Sequence, residues 1–191
     1  MRGKAPDFHR VPNRADRPKP NSLCTIWVID LPPRISPFGD MDFSTRITRL
    51  PTAFEAERGV ETALLVPQAD GDLAKLLAGA GGCSPYIRSL VEKEADWLVS
   101  ALNDPEAAVA EQLTELHRSS VAKLSVALRQ AKRRVALITG LADLAGVGSL
   151  EMVTSILTEF ADVSCAWALR AGLEGELKRG KLPGVTEGDL A

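Results

Sequence analysis

Two pairs of carboxylates are the first residues in this chain whose type and spacing could do chemistry. Asp40-Met41-Asp42 and Asp70-Gly71-Asp72 each set two acids two positions apart, the kind of group that holds Mg2+ for phosphoryl or nucleotidyl transfer. That chemistry needs the pair on a rigid strand facing a glycine- and serine-lined pocket. Here one pair borders a Pro/Gly-rich segment and the other sits in a turn, so solvated surface acids are the favoured reading. Gly79-Ala80-Gly81-Gly82-Cys83-Ser84 could seat a phosphate at a helix start. It lacks the Lys-Ser/Thr of a P-loop and follows no apolar strand, and reads better as a hinge between helices, capped by Ser84. Arg129, Lys132, Arg133 and Arg134 form a basic cluster in which the first three share a helix face. An anion or acidic-partner contact is one reading. The favoured one is a solvated face near a helix C-terminus, where cations offset the dipole, with Asp143 close enough in sequence to pair with one of them.

Other reactive side chains stand apart. His9 and His117 are isolated, and Cys24, Cys83 and Cys165 are odd in number and far apart. No zinc site or disulfide framework is expected, and a reducing cytosol fits this cysteine usage. Trp97, Phe160 and Trp167 lie on apolar stripes and read as core, and His117 as surface. No residue is assigned as catalytic, cofactor-binding or metal-ligating.

Composition narrows the classes. The 191 residues carry a formal charge of −2, with 45% hydrophobic and 25% charged residues. That suits one soluble domain with a real core. A slightly acidic balance argues against a broad nucleic-acid surface. The longest apolar run of the first half, Leu23–Ile29, falls short of the roughly 20 residues of a membrane helix. No membrane partner is expected, and the location reads as cytoplasmic.

The elements that must position these groups are helical. Residues 1–40 hold seven of the 12 prolines and read either as a disordered tail, with a short extended piece at Thr25–Ile29, or as a mis-assigned extension with Met41 the true start. The mass of the natural N-terminus decides between them. Short helices are expected at Ala53–Leu65 and Gly71–Ala78. Ser84-Pro85 and Asp104-Pro105 then each pair an N-cap with proline at the first helical position. Leu113, Leu116, Val121, Leu124, Leu128, Ala131, Val135 and Ile138 step by 3, 5, 3, 4, 3, 4 and 3, predicting one rod from Pro105 to about Leu141, roughly 55 Å long. Gly146 and Gly148 make the corner and Ser149 caps a second rod. Its seam is Leu150, Val153, Leu157, Phe160, Ser164, Trp167 and Ala171. The fold class is all-α, a long antiparallel helical hairpin with shorter N-terminal helices and a Pro-rich tail. Residues 41–182 form the helical region and 183–191 a linker.

Three segments together resemble the bacterial bifunctional glutamine synthetase adenylyltransferase/adenylyl-removing enzymes. They are Ser44-Thr45-Arg46-Ile47-Thr48-Arg49-Leu50-Pro51; Cys83-Ser84-Pro85-Tyr86-Ile87 with Asp96-Trp97-Leu98; and, most specific, LRQAKRRVALITGLADLAGVGSLEMVTSILTEFAD from Leu128. The resemblance runs from about Phe43 to Leu182. It implies an N-terminal helical fragment of a multifunctional transferase of nitrogen regulation, leading toward a nucleotidyltransferase domain. That domain's G-x-x-E-L-N-x-x-S-D-I-D signature would hold Mg2+, with ATP, glutamine synthetase and PII signal proteins as the parent's cofactor and partners. Nothing like the signature occurs here, so the fragment is expected to be inert and without a cofactor of its own. An S-D-x-D motif is expected within a few dozen codons downstream. The alternative is a self-contained helical interaction module using the seam Leu150–Trp167. A third option, nucleic-acid binding through Arg129–Arg134, would show steep salt dependence.

Overall fold

A computed structural model of the protein describes residues 42–190. The readings made for residues 1–40, and Asp40 and Met41 of the first carboxylate pair, lie outside the described residues. Among the described residues six α-helices follow one another: α1 (Ala56–Leu64), α2 (Gly71–Cys83), α3 (Pro85–Asn103), α4 (Pro105–Arg118), α5 (Val121–Ala145) and α6 (Leu150–Lys178). Among the described residues there is no strand. One core runs through all six, from Leu76 and Leu77 on α2 through Leu98 on α3 and Leu116 on α4 to Leu137, Ile138 and Leu141 on α5.

Both Pro-preceded caps form. Ser84 Oγ accepts from the backbone N–H of Ile87 at 3.2 Å, and Asp104 Oδ1 from that of Ala107 at 2.9 Å. Each satisfies one of the donors that a helix start leaves unpaired.

The glycine run does not break the chain. α2 continues through Gly79, Gly81 and Gly82 to Cys83, so the inter-helix hinge read there is corrected. The reason is close approach. Gly79 abuts Pro51 and Gly81 abuts Thr62, while a methyl on Gly82 would lie 2.5 Å from Ala53 Cβ and 2.8 Å from the Glu55 carbonyl. Glu55 N–H donates to the Gly82 carbonyl at 2.9 Å. Glycine thus lets α1 and the segment before it press against the backbone of α2, at the helix-propensity cost of three glycines in its last turn.

The single rod expected from Pro105 to Leu141 is two helices. Ser119 and Ser120 are extended, with ψ of 134° and 154°. The break falls inside the five-residue step from Leu116 to Val121. Such a step displaces the apolar stripe around a helix of period 3.6, and ending one helix and starting another resets its phase. α4 then buries Val109, Leu113 and Leu116, and α5 buries Leu124, Ala131, Val135 and Ile138.

The corner behaves as read from sequence. Gly146 has φ 69°, the left-handed geometry that favours glycine. Val147 N–H reaches the Ala142 carbonyl at 2.9 Å and Gly146 N–H the Asp143 carbonyl at 3.0 Å, the paired bonds of a Schellman end. Ser149 Oγ then caps α6 through Met152 N–H at 3.2 Å.

α6 presents a different side from the seam expected of it. Leu150 is 73% exposed and Leu157 42%, whereas Met152, Ile156 and Val163 are buried. Val153, Phe160 and Trp167 are partly buried between the two. The N-terminal half of α6 carries apolar residues on two adjacent stripes, and α4 and α5 cover only one. Gly172 and Gly175 lie within the helix, which ends at Lys178 before a left-handed Gly180. By length and composition alone α6 could cross a membrane, but Glu159, Asp162 and Arg170 punctuate its middle, and such charges are costly there.

Candidate functional site

The chemistry-bearing residues converge on one place, where α3 bends. Ile87, Leu90, Val91 and Leu98 form the buried stripe of α3, and Glu94 interrupts it with a carboxylate. At Glu94 the helix departs from regular geometry, with φ −127° and ψ 17°. Its side chain is 4% exposed. Burying a lone carboxylate is costly, so the group must be matched. Arg133 Nε donates to Oε1 at 2.7 Å and Arg134 Nε to Oε2 at 2.8 Å.

Arg134 does more than neutralise. Its Nη1 donates to Gln112 Oε1 on α4 at 3.3 Å, and its guanidinium lies 4.7 Å from the centre of the Trp97 ring on α3. One α5 side chain thereby joins three helices through ionic, amide and cation–π contacts. The solvated-face reading of this basic cluster is corrected for two of its members. Arg129 and Lys132 are exposed, but Arg133 and Arg134 are turned inward. Glu94 and Gln112 went unread in the sequence, although an acid inside an apolar stripe, matched later by adjacent arginines, was the available signal.

Asp143 does not pair with that cluster. It meets Arg49 at 3.9 Å, and the Arg49 guanidinium also bonds the Asp143 carbonyl. Arg49 belongs to an extended strap that closes over the end of α5. Thr48 N–H and Arg49 N–H donate to the Ala145 carbonyl at 2.9 and 3.0 Å, and Arg46 Nη2 to the Val147 carbonyl at 3.3 Å. The strap supplies donors where a helix end leaves carbonyls unpaired.

The remaining candidates stay separate. Asp42 accepts from Ser44 Oγ at 2.6 Å, Asp72 pairs with Lys75 at 2.8 Å, and both acids are exposed. Cys83 Sγ donates to the Thr52 carbonyl at 2.9 Å, and Cys165 is free and exposed. His117 donates from Nδ1 to the Leu113 carbonyl at 2.7 Å and meets the Trp167 ring edge-on at 5.6 Å. Arg170 covers that ring at 5.1 Å, so Trp167 and Trp97 both carry a cation as well as packing. Beside Trp97 an open cleft of about 390 Å³ is lined by Ala101, Asp104, Ala107 and Glu111. Asp104 already caps α4 there.

Two acids titrate away from their usual range. Glu151 is held low by its backbone N–H and by Ser149 at the start of α6, and Asp189 by the Thr186 hydroxyl and backbone. Both are fully exposed, and neither joins the Glu94 cluster. Among the described residues no three His, Cys, Asp or Glu side chains gather as a metal site.

Fold and charge cluster together define an all-helical scaffold whose polar groups tie helices to one another. Its relatives are specific. The chain is 34% identical over 134 residues to the bifunctional glutamine synthetase adenylyltransferase/adenylyl-removing enzyme of Bradyrhizobium sp. strain BTAi1, covering 67% of this chain and 14% of that protein. It is 32% identical over 145 residues to the Caulobacter vibrioides protein of that name, covering 70% and 14%. With the protein of that name from Bradyrhizobium diazoefficiens it shares 35% identity over 113 residues, covering 56% and 11%. The family recognised in the sequence is therefore the family of its curated relatives. The chain spans about 14% of the length of the first of them. No family model matches the chain, and no solved structure matches it.

Proposed function

We propose that this chain is the N-terminal helical part of an enzyme that adenylylates and deadenylylates glutamine synthetase in nitrogen regulation. The observation that carries the reading is the shared name of five curated relatives at 31–35% identity. The parent would be a cytoplasmic nucleotidyltransferase using ATP and Mg2+, with glutamine synthetase as substrate and PII signal protein as regulator. This part would hold neither the cofactor nor the metal and would be catalytically inert, its role being to present a rigid helical body to the transferase domain. The polar clusters support that role. Glu94, Arg133, Arg134 and Gln112 are all engaged with one another, which suits a brace and leaves little for a substrate. The second reading, an interaction module in its own right, is favoured by the uncovered stripe of α6.

A chimaera tests the leading reading. Residues 42–182 replace the matching stretch of the Bradyrhizobium BTAi1 protein, and transfer and removal of AMP on glutamine synthetase are measured. Both activities are expected to survive. A soluble hybrid that has lost both would overturn the reading. The 191-residue chain alone, given adenylylated glutamine synthetase, phosphate and Mg2+, is expected to release no ADP, and turnover there would refute its inertness.

A further inference from the structure

We infer that one turn of α5, bearing Arg129, Lys132 and Arg133, is a binding site for a small phosphate monoester. The inference does not rest on the enzyme family; it begins from an imbalance of charge. Glu94 offers one carboxylate, and both Arg133 and Arg134 are bonded to it, at 2.7 and 2.8 Å. Two guanidinium charges therefore share one negative charge. Arg129 and Lys132 are exposed and join no ion pair among the described residues. The one acid of α5, Asp143, lies about 15 Å beyond Arg133 along the helix and is taken by Arg49. Like charges one turn apart on a helix repel, so an anion bound among these cations relieves the fold.

Arg134 is spent inward, on Gln112 and Trp97. The surplus is carried by the other three, which stand at i, i+3 and i+4 on one face with Cβ atoms about 5–6 Å apart. Arg133 is the fixed member. It donates to Glu94 from Nε and forms no other side-chain bond among the described residues. Its two Nη groups are left for a bidentate acceptor. Because Glu94 already orients this guanidinium, less freedom is lost when a ligand binds. Arg129 and Lys132 are the flexible members, long enough to close on an acceptor that the fork of Arg133 holds.

The extent of the patch identifies the ligand. Along the same face Ala122, Ser125 and Val126 precede the three cations and Ala136 and Gly140 follow, all of them uncharged. The cationic footprint is thus about 6 Å long, a single turn. A nucleic acid is met by a stripe of cations that tracks its backbone, and an anionic membrane surface by clusters of about four to eight. One turn suits neither. A carboxylate brings one charge and two oxygens. A phosphate monoester brings nearly two charges and three strong acceptor oxygens in one compact group, which matches one fixed fork and two mobile cations.

Inorganic phosphate is titrated into the full chain at constant ionic strength and about pH 8, where it is a dianion, and followed by amide NMR. Saturable shifts are expected at residues 129–133. Two charge-assisted bonds put the dissociation constant on the order of 1 mM. Glycerol phosphate is expected to match inorganic phosphate, and acetate to shift nothing. Arg129→Gln and Lys132→Gln alter exposed side chains, and each is expected to weaken phosphate by about threefold or more. Arg133→Lys keeps a cation for Glu94 but loses the fork, and is expected to weaken it about tenfold. Lys123→Gln, on another side of α5, is expected to change nothing. The absence of saturable shifts up to about 20 mM phosphate overturns the inference. So does an Arg133→Lys chain that binds as wild type, acetate or a glutamate-rich peptide that binds as tightly as phosphate, or equal weakening by Lys123→Gln. Attachment to phosphatidate vesicles by a chain indifferent to free phosphate overturns it as well.

Discussion

Removing the Glu94 carboxylate is the sharpest test of the charge cluster. Both of its oxygens are engaged, at 2.7 and 2.8 Å, by arginines whose side chains are 34% and 20% exposed. In Glu94→Ala the two arginines keep their charge and lose their only carboxylate partner in the cluster. Breaking a buried ion pair from one side costs about 3–5 kcal/mol. The exposure of Arg133 lets water replace part of what is lost, so about 3 kcal/mol is expected. Glu94→Gln retains one acceptor and is expected to cost less, about 1–2 kcal/mol. A domain of this size unfolds in urea with a slope near 2 kcal/mol per molar, so Glu94→Ala should lower the midpoint by about 1.5 M. Fluorescence of the three tryptophans and helix circular dichroism should report the same transition. Arg134→Ala combined with Glu94→Ala should cost less than the two separately, by about 1 kcal/mol or more. A Glu94→Ala cost under about 1 kcal/mol, or strict additivity in the cycle, would refute the view that α3, α4 and α5 are joined here.

Three further outcomes follow from particular contacts. Gly81→Ala should destabilise by about 1–3 kcal/mol, because its methyl would press into Thr62. Gly172→Ala, where a methyl meets none of the described residues, should instead stabilise by about 1 kcal/mol, and equal signs in urea unfolding would contradict the packing of α1 on α2. Asp104→Ala should cost about 1 kcal/mol through its lost bond to Ala107 N–H, seen as a lower melting temperature; an unchanged one would remove the cap from the account. Glu151 should titrate below the usual carboxylate range in an NMR pH series. Its folded pKa is depressed, so its contribution is present above the unfolded pKa and disappears as pH falls through the folded one. Ser149→Ala should move that titration upward, and no movement would show that the hydroxyl plays no part.

Local chemistry was the legible part of this chain. Ser84-Pro85, Asp104-Pro105 and Gly146 through Ser149 each announce a helix end through residues that act within four positions of themselves. Phase and pairing were harder. The five-residue step between Leu116 and Val121 was visible, yet a regular pattern on both sides of it invited a single rod. Glycines at 79, 81 and 82 look alike whether they break a helix or admit a neighbour, since the difference lies in Pro51, Thr62 and Ala53 about 20–30 residues earlier. The α6 seam was read at the right period but off-centre: Val153, Phe160 and Trp167 pack against the core while Leu150 and Leu157 stay exposed, because periodicity says that a stripe is apolar without saying which edge of it is covered. Asp143 chose Arg49 over the nearer arginines, a choice fixed by the strap and invisible from spacing.

The segments that carry the family resemblance are also the ones that close the fold, and this bears on what a resemblance of this kind can transmit. Arg46, Thr48 and Arg49 come from the first segment and the carbonyls of Asp143, Ala145 and Val147 from the third. Ser84 of the second caps α3, and Arg133 and Arg134 of the third hold Glu94. Such residues are demanding because a helix end or a buried carboxylate must find its donors within the chain. Residues that close helix ends or match a buried carboxylate can therefore be required by the fold alone. If that is so, Arg49→Ala should unseat residues 46–49 and speed amide exchange at Gly146 and Val147, yet leave the AMP chemistry of the chimaera intact once folded. Loss of that chemistry with the corner still protected would give the strap a functional contact that its bonds to α5 do not account for.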